Sequence, residues 1–231
     1  MKNMTLLTSF IIAICGTNSA FAEPLRGVAY VGGTISESQS GYAGGVMSLP
    51  GASLGHGLAI RAGTAAGRYK YEANGQQIIG KYVGADAALV YQFSGDWGWA
   101  NVSAGPHFSD TSLSPNDPGN DLRGSNWDLG LQSDGALDGP KWRLGWYGSY
   151  GAFDDTYQAK LQLGHRIGRD DLRMGIEAGL QGDPSYKKGF AGMFASKAIA
   201  HNVSLQISGG ASEQAGRGPR AYGSIALSTL F

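Results

Sequence analysis

The sequence predicts an all-β fold: an antiparallel up-and-down transmembrane β-barrel of about twelve strands (alternative, ten), after a cleaved signal peptide. Three observations predict it. Apolar and polar residues alternate with period two through most of residues 25–231. The N-terminus reads as an export leader. No later apolar run approaches the roughly 20 residues of a spanning helix, so a membrane chain of this kind must cross with strands.

The leader has three parts. Lys2 supplies the charge, Met4 to Cys15 the short apolar run, and Ala20-Phe21-Ala22 the cleavage pattern. Residues 1–22 are therefore expected to be removed, leaving residues 23–231 as one barrel domain. A lipoprotein signal ending at Cys15 competes, but Ile14 sits where such signals want a small residue. Cys15 is the only cysteine, so the mature chain can hold no disulfide, cysteine nucleophile or cysteine-based metal site. It carries 17 basic and 18 acidic residues, a net charge of −1, and has no basic field for nucleic acid. The 38 glycines of the full sequence follow no collagen period and suit strands that must bend and pack closely.

The strands are expected at 25–36, 40–49, 57–72, 77–93, 97–110, 125–137, 141–153, 156–167, 172–182, 188–199, 203–213 and 220–231. The clearest pair is "YQAKLQLGHRI" and "LRMGIEAGLQ". Leu161, Leu163, Ile176 and Leu180 fall on one face; Lys160, Arg166, Arg173 and Glu177 fall on the other. Asn74-Gly75 marks a hairpin turn between the third and fourth strands. The stretch "LSPNDPGNDLRGSNWDLGL" is a polar loop, about 111–124, that launches a two-sided strand. Trp127, Leu129 and Leu131 are expected toward lipid, and Asp128, Gln132 and Asp134 toward the lumen. With both termini in the periplasm, this loop follows an odd-numbered strand and faces the cell exterior. Phe231 closes a final amphipathic strand, similar to the signal that bacterial barrel-assembly machinery reads. A soluble barrel or sandwich is the competing fold, and it would reverse the two faces.

The inward charged set is expected to be Arg61, Asp86, Asp128, Arg143, Lys160, Arg166, Arg173 and Glu177. It suits either a plugged interior of cross-strand ion pairs or a wet, charge-lined pore; a narrow barrel favours the plug. In the outward loop, Asp117, Asn120, Asp121 and Arg123 are candidate binding residues, with ordinary turn formation as the competing role. Their spacing matches no EF-hand, and the histidines form no zinc motif, so neither metal nor cofactor is expected. His107 and Ser109, two apart on one face, are the candidate pair of a lipid-modifying hydrolase. A strand-end histidine beside a loop-entry serine is the competing reading.

The central stretch, Leu113-Ser114-Pro115-Asn116-Asp117-Pro118-Gly119-Asn120 with Gly124 after it, resembles the cellulose biosynthesis protein BcsS family of alphaproteobacteria. The flanks "GRYKYE", "GADAALVYQF" and "GIEAGLQGDPSYKKGFAGMF" are similar to family positions. The resemblance implies an outer-membrane-type barrel that works with bacterial cellulose synthesis. Its implied partners are outer-membrane lipid, cellulose or glucan, and components of the cellulose synthase complex. It carries no active site across. The expected function is non-enzymatic assistance to cellulose synthesis, export or surface attachment. The lipid-modifying hydrolase and a small diffusion pore stand as alternatives.

Overall fold

A computed structural model describes residues 25–73, 75–168, 172–215 and 217–231. The expected leader, Asn74 of the Asn-Gly turn and residues 169–171 of the "GRDD" turn lie outside the described residues. The twelve strands are β1 Gly27–Ile35, β2 Gln39–Ser48, β3 Gly57–Ala73, β4 Gln76–Gly95, β5 Gly98–Ser114 and β6 Gly124–Asp138, then β7 Trp142–Gly151, β8 Tyr157–Ile167, β9 Leu172–Asp183, β10 Tyr186–Ala200, β11 Val203–Gln214 and β12 Arg220–Leu230. Each pairs antiparallel with its sequence neighbour, and β1 pairs with β12 to close the barrel. Closure leaves no unpaired edge, which a strand-built wall in lipid requires.

The alternation decides which side faces out. Trp127 is 69% exposed, whereas its neighbour Asp128 is 5% exposed. Ile60, Leu89, Leu161 and Ile176 all stand on the exposed outer wall, while Arg61, Asp128 and Glu177 are buried inside. Apolar out and charged in is the reverse of a soluble barrel, and it excludes that competing fold. A small buried cluster of Val46, Ala59 and Val90, with Val28 against it, fills the interior near β1–β4.

Strand lengths are uneven. β3 and β4 pair continuously from Gly57↔Gln92 to Ala73↔Gln76, well beyond the roughly 9–11 residues that a tilted strand needs to cross a bilayer. β5 also runs on to Ser114, four residues past its expected end, so the polar loop shortens to residues 115–123. The β3–β5 wall therefore stands above the rest. Pro106 lies within β5 and has no N–H, and the β4–β5 pairing skips from Asp86↔His107 to Leu89↔Ala104 there. Gly105 beside it is required by space: a Cβ would come 2.0 Å from the Ala87 carbonyl oxygen.

Candidate functional site

The barrel has two unlike ends. The connections after β2, β4, β6, β8 and β10 share one end with Gly27 and Leu230, all but residues 49–56 being short. The other end, the distal mouth, gathers residues 36–38, 75, 115–123, 152–156, 184–185, 215 and 217–219. Loop 115–123 lies across this mouth. It first folds on itself: Asp117 Oδ1 accepts from Gly119 N at 3.2 Å, and Asn120 Oδ1 accepts from Leu122 N at 3.0 Å. These are the side chain-to-backbone bonds that favour Asx residues in turns. The folded loop then reaches away from β5. Tyr71 OH, on β3, donates to Asp117 Oδ2 at 2.7 Å. Asn120 Nδ2 donates to Tyr71 OH at 2.9 Å and to Ser185 Oγ, in the β9–β10 connection, at 3.3 Å. Asn120 ends up 6% exposed.

Of the four loop residues read as binding candidates, Asp117 and Asn120 thus latch the loop to the opposite walls. Asp121 stays exposed. Arg123 Nη1 donates to Asn116 Oδ1 at 2.9 Å within the loop.

Other bonds cross the mouth beside the latch. Lys188 Nζ donates to Ser36 Oγ at 2.7 Å and Ser38 Oγ at 2.8 Å, joining β10 to the β1–β2 turn. Gln214 Nε2, at the end of β11, donates to the Lys70 carbonyl on β3 at 2.8 Å. Arg217 approaches Glu72 at 3.5 Å and Glu37 at 4.0 Å, and Arg220 Nε pairs with Glu37 at 3.1 Å. Beneath them the rings of Tyr69 and Tyr186 lie 5.7 Å apart, joining β3 to β10, with Tyr71 and Tyr82 against Tyr69 at 6.0 and 6.3 Å. Local period two does not reveal this tyrosine cluster. Its one visible signal was Tyr69, Tyr71 and Tyr82 falling on inward positions of adjacent strands. Between the β3 tip, the β9–β10 connection and the end of β11 remains a cavity of about 260 Å³.

The lumen below is crossed by paired charges. Arg61 Nε meets Asp86 at 3.1 Å, and its Nη1 donates to Ser103 Oγ at 2.8 Å. Asp134 accepts from Asn101 at 3.0 Å and Gln132 at 2.9 Å. Glu177 accepts from Tyr222 OH at 2.8 Å and Gln162 Nε2 at 2.7 Å, with Lys160 Nζ at 3.7 Å. Asp138 accepts from Arg143 Nη2 at 2.7 Å, and Arg173 Nη1 approaches it at 4.0 Å. Arg166 sits opposite Arg173 in the β8–β9 register. Asp128 faces inward but is tied to backbone, its Oδ1 accepting from Leu129 N at 2.6 Å and Phe153 N at 2.8 Å. Arg61 with Asp86, Lys160 with Glu177, and Arg143 with Arg173 thus fall into separate local clusters that Asp134, Asp138, Gln162 and Tyr222 complete, while Asp128 is held by backbone.

His107 and Ser109 share the inward face of β5, and no hydrogen bond joins them among the described residues. His107 instead lies opposite Asp86 on one side and Asp128 on the other. The nearby β7–β8 turn carries Asp154. Burial pushes its carboxyl above the usual range, the Asp128 charge adds to that, and His107 eases it. A raised folded-state pKa means the docked turn binds a proton more readily than the unfolded chain does. Its stability is then highest at low pH and falls as pH rises through the folded pKa. Asp154→Asn is expected to raise the melting temperature at neutral pH, with the gain vanishing as pH drops below the ordinary carboxylate range. A gain that persists under acid conditions would refute this assignment.

Solved structures match the architecture at low identity. The TodX deltaS2S3 mutant monoaromatic hydrocarbon channel aligns with TM-score 0.53 and 7% identity, over 90% of this chain and 91% of that one. The transport unit of the autotransporter AIDA-I from Escherichia coli aligns with TM-score 0.50 and 11% identity, over 95% and 94%. A KdgM porin aligns with TM-score 0.47 and 11% identity, over 88% and 99%. The first two show, at their identities, a likeness of fold alone, the outer-membrane type of barrel. No curated protein matches the sequence. The model of one family, described as cellulose biosynthesis protein BcsS, matches residues 28–231. With nearly the whole barrel matched, loop 115–123 included, the chain belongs to the cellulose biosynthesis protein BcsS family.

Proposed function

We propose that the protein is a non-enzymatic outer-membrane barrel that holds cellulose at the cell surface, with its distal mouth toward the exterior and its lumen shut. Family membership supports the link to cellulose. The apolar outer wall supports lipid as its surroundings. The observation that carries attachment over export is the bridged mouth, where Asn120 of loop 115–123 reaches both Tyr71 and Ser185. A glucan chain moving through the barrel would have to displace that loop, then part the Tyr69–Tyr186 pair, then break the Glu177 cluster. Glucan at the outer face needs none of this. Components of the cellulose synthase complex are the partners expected at the periplasmic end. The barrel works without metal, cofactor or nucleic acid.

The test is a clean deletion strain, with the wild-type copy restored as control. Glucan is measured separately in the medium, on the cell surface and in the periplasm. Surface cellulose is expected to fall and released cellulose to rise, with the periplasmic fraction unchanged. Glucan trapped in the periplasm would overturn attachment in favour of export. Identical fractions in both strains would remove the cellulose role itself.

A further inference from the structure

Resting on that reading, we infer that the cavity of about 260 Å³ at the distal mouth is a saccharide subsite for a single neutral β-linked glucan chain. Three separate pieces of chain build it: Tyr71 and Glu72 at the tip of β3, Ser185 and Tyr186 where β9 turns into β10, and Gln214 and Arg217 where β11 ends. Its volume is just under the roughly 300–1,000 Å³ usual for pockets that take drug-sized ligands. That leaves room for a short piece of one chain and excludes a cellulose ribbon.

The lining has the mixed character that a sugar ring presents, with an apolar ring face and a rim of hydroxyls. The floor is aromatic, since Tyr71 and Tyr186 are both buried there. The rim offers donors and acceptors together. Gln214 gives one amide hydrogen to the Lys70 carbonyl, which leaves its second N–H and its carbonyl oxygen for a ligand. Glu72 and Arg217 are 3.5 Å apart at their closest, a loose pair whose planar groups suit vicinal hydroxyls. The lining carries Arg217 and Lys187 against Glu72, and of these only Arg217 and Glu72 meet at the cavity. Arg217 is set against Glu72 and Glu37, and Lys187, which also borders the cavity, follows Tyr186 on the exposed outward position of β10. A site for phosphate or a uronic acid would concentrate positive charge instead. Tyr71 and Ser185 also receive Asn120, so the cavity keeps its shape only while loop 115–123 is docked.

The test is calorimetric titration of the purified, detergent-folded barrel with cellotetraose. Maltotetraose, which is α-linked, and trigalacturonate, which is anionic, serve as comparison probes. Wild type is expected to bind cellotetraose saturably, and both comparison sugars about tenfold more weakly or less. Gln214→Ala and Arg217→Ala should each weaken cellotetraose binding by about tenfold, while keeping the gel-mobility difference between heated and unheated samples that marks a folded barrel. Asn120→Ala should weaken it too, by loosening the cavity wall. Absence of saturable binding by wild type, equal binding by both rim variants, or preference for either comparison sugar would each overturn the subsite. The two proposals fail separately. Cellulose released by the deletion strain alongside no cellotetraose binding removes the subsite and leaves attachment to another face. Cellotetraose binding alongside an unaffected deletion strain keeps the subsite and removes the cellulose role.

Discussion

Glu177→Ala is expected to destabilise the barrel by about 3 kcal/mol, the scale seen when one partner of a buried charged pair is removed. Glu177 is 4% exposed and stands on β9. It accepts from Tyr222 on β12 and Gln162 on β8, and Lys160 lies 3.7 Å away. It therefore ties the wall of β8 and β9 to β12 through the interior, over the intervening β10 and β11. Gly192 on β10 makes the reach possible, because a Cβ there would come 2.5 Å from the Tyr222 hydroxyl. Alanine would leave that hydroxyl and the Gln162 amide without their shared acceptor, and the Lys160 ammonium without its counter-charge. Glu177→Gln keeps an acceptor oxygen for Tyr222 and should cost distinctly less, about 1 kcal/mol. Urea unfolding in detergent or lipid, read at constant m-value, measures both. An alanine variant as stable as wild type would show that water replaces the carboxylate and that the cluster is not a tie.

The second large effect is kinetic exposure of the latch. Asn120→Ala removes the donor to Tyr71 and Ser185 and the acceptor for Leu122 N at one stroke. At a net value of about 1 kcal/mol each, three bonds amount to roughly a hundredfold rise in the undocked population. When opening is fast relative to cleavage, proteolysis tracks that population. Trypsin cutting after Arg123, followed by mass spectrometry, should therefore quicken about a hundredfold, while the strands stay protected. Asp117→Ala should act in the same direction and less strongly, because it leaves Asn120 in place. Unchanged cleavage after Arg123 would mean the loop is held by backbone and packing, with the crossing bonds incidental.

Much of this architecture could be read before any coordinates. In "YQAKLQLGHRI" and "LRMGIEAGLQ", period two alone separated Leu161 and Ile176 from Lys160 and Glu177. Lipid and lumen impose opposite demands on alternate residues, so the signal is local and strong. All twelve strands fall within a few residues of their expected places, the largest shift being the end of β5 at Ser114. That shift has a cause. Thr111, Leu113 and Ser114 continue the ladder with Tyr82, Gly80 and Ile79 of a still longer β4, and a pairing partner is invisible in the segment itself.

The loop residues show the limit. Asp117, Asn120 and Asp121 were legible as turn formers, and their place in an outward loop made them, with Arg123, binding candidates. A polar loop on the outside of a barrel is solvated unless something distant covers it. Here the cover is Tyr71, separated from Asn120 by 49 positions, and Ser185, separated by 65.

The sequence by itself determined the strands, their two faces and the inward charges, because each follows from a residue's immediate neighbours in the chain. Only the tertiary structure decided which inward charges meet, that a folded loop is latched across the mouth, and that a polar cavity survives between β3, β10 and β11. Those outcomes depend on which strands stand opposite one another once the barrel closes. Closure brings Glu177 to Tyr222 and Tyr69 to Tyr186 across distances in sequence over which period two carries no information.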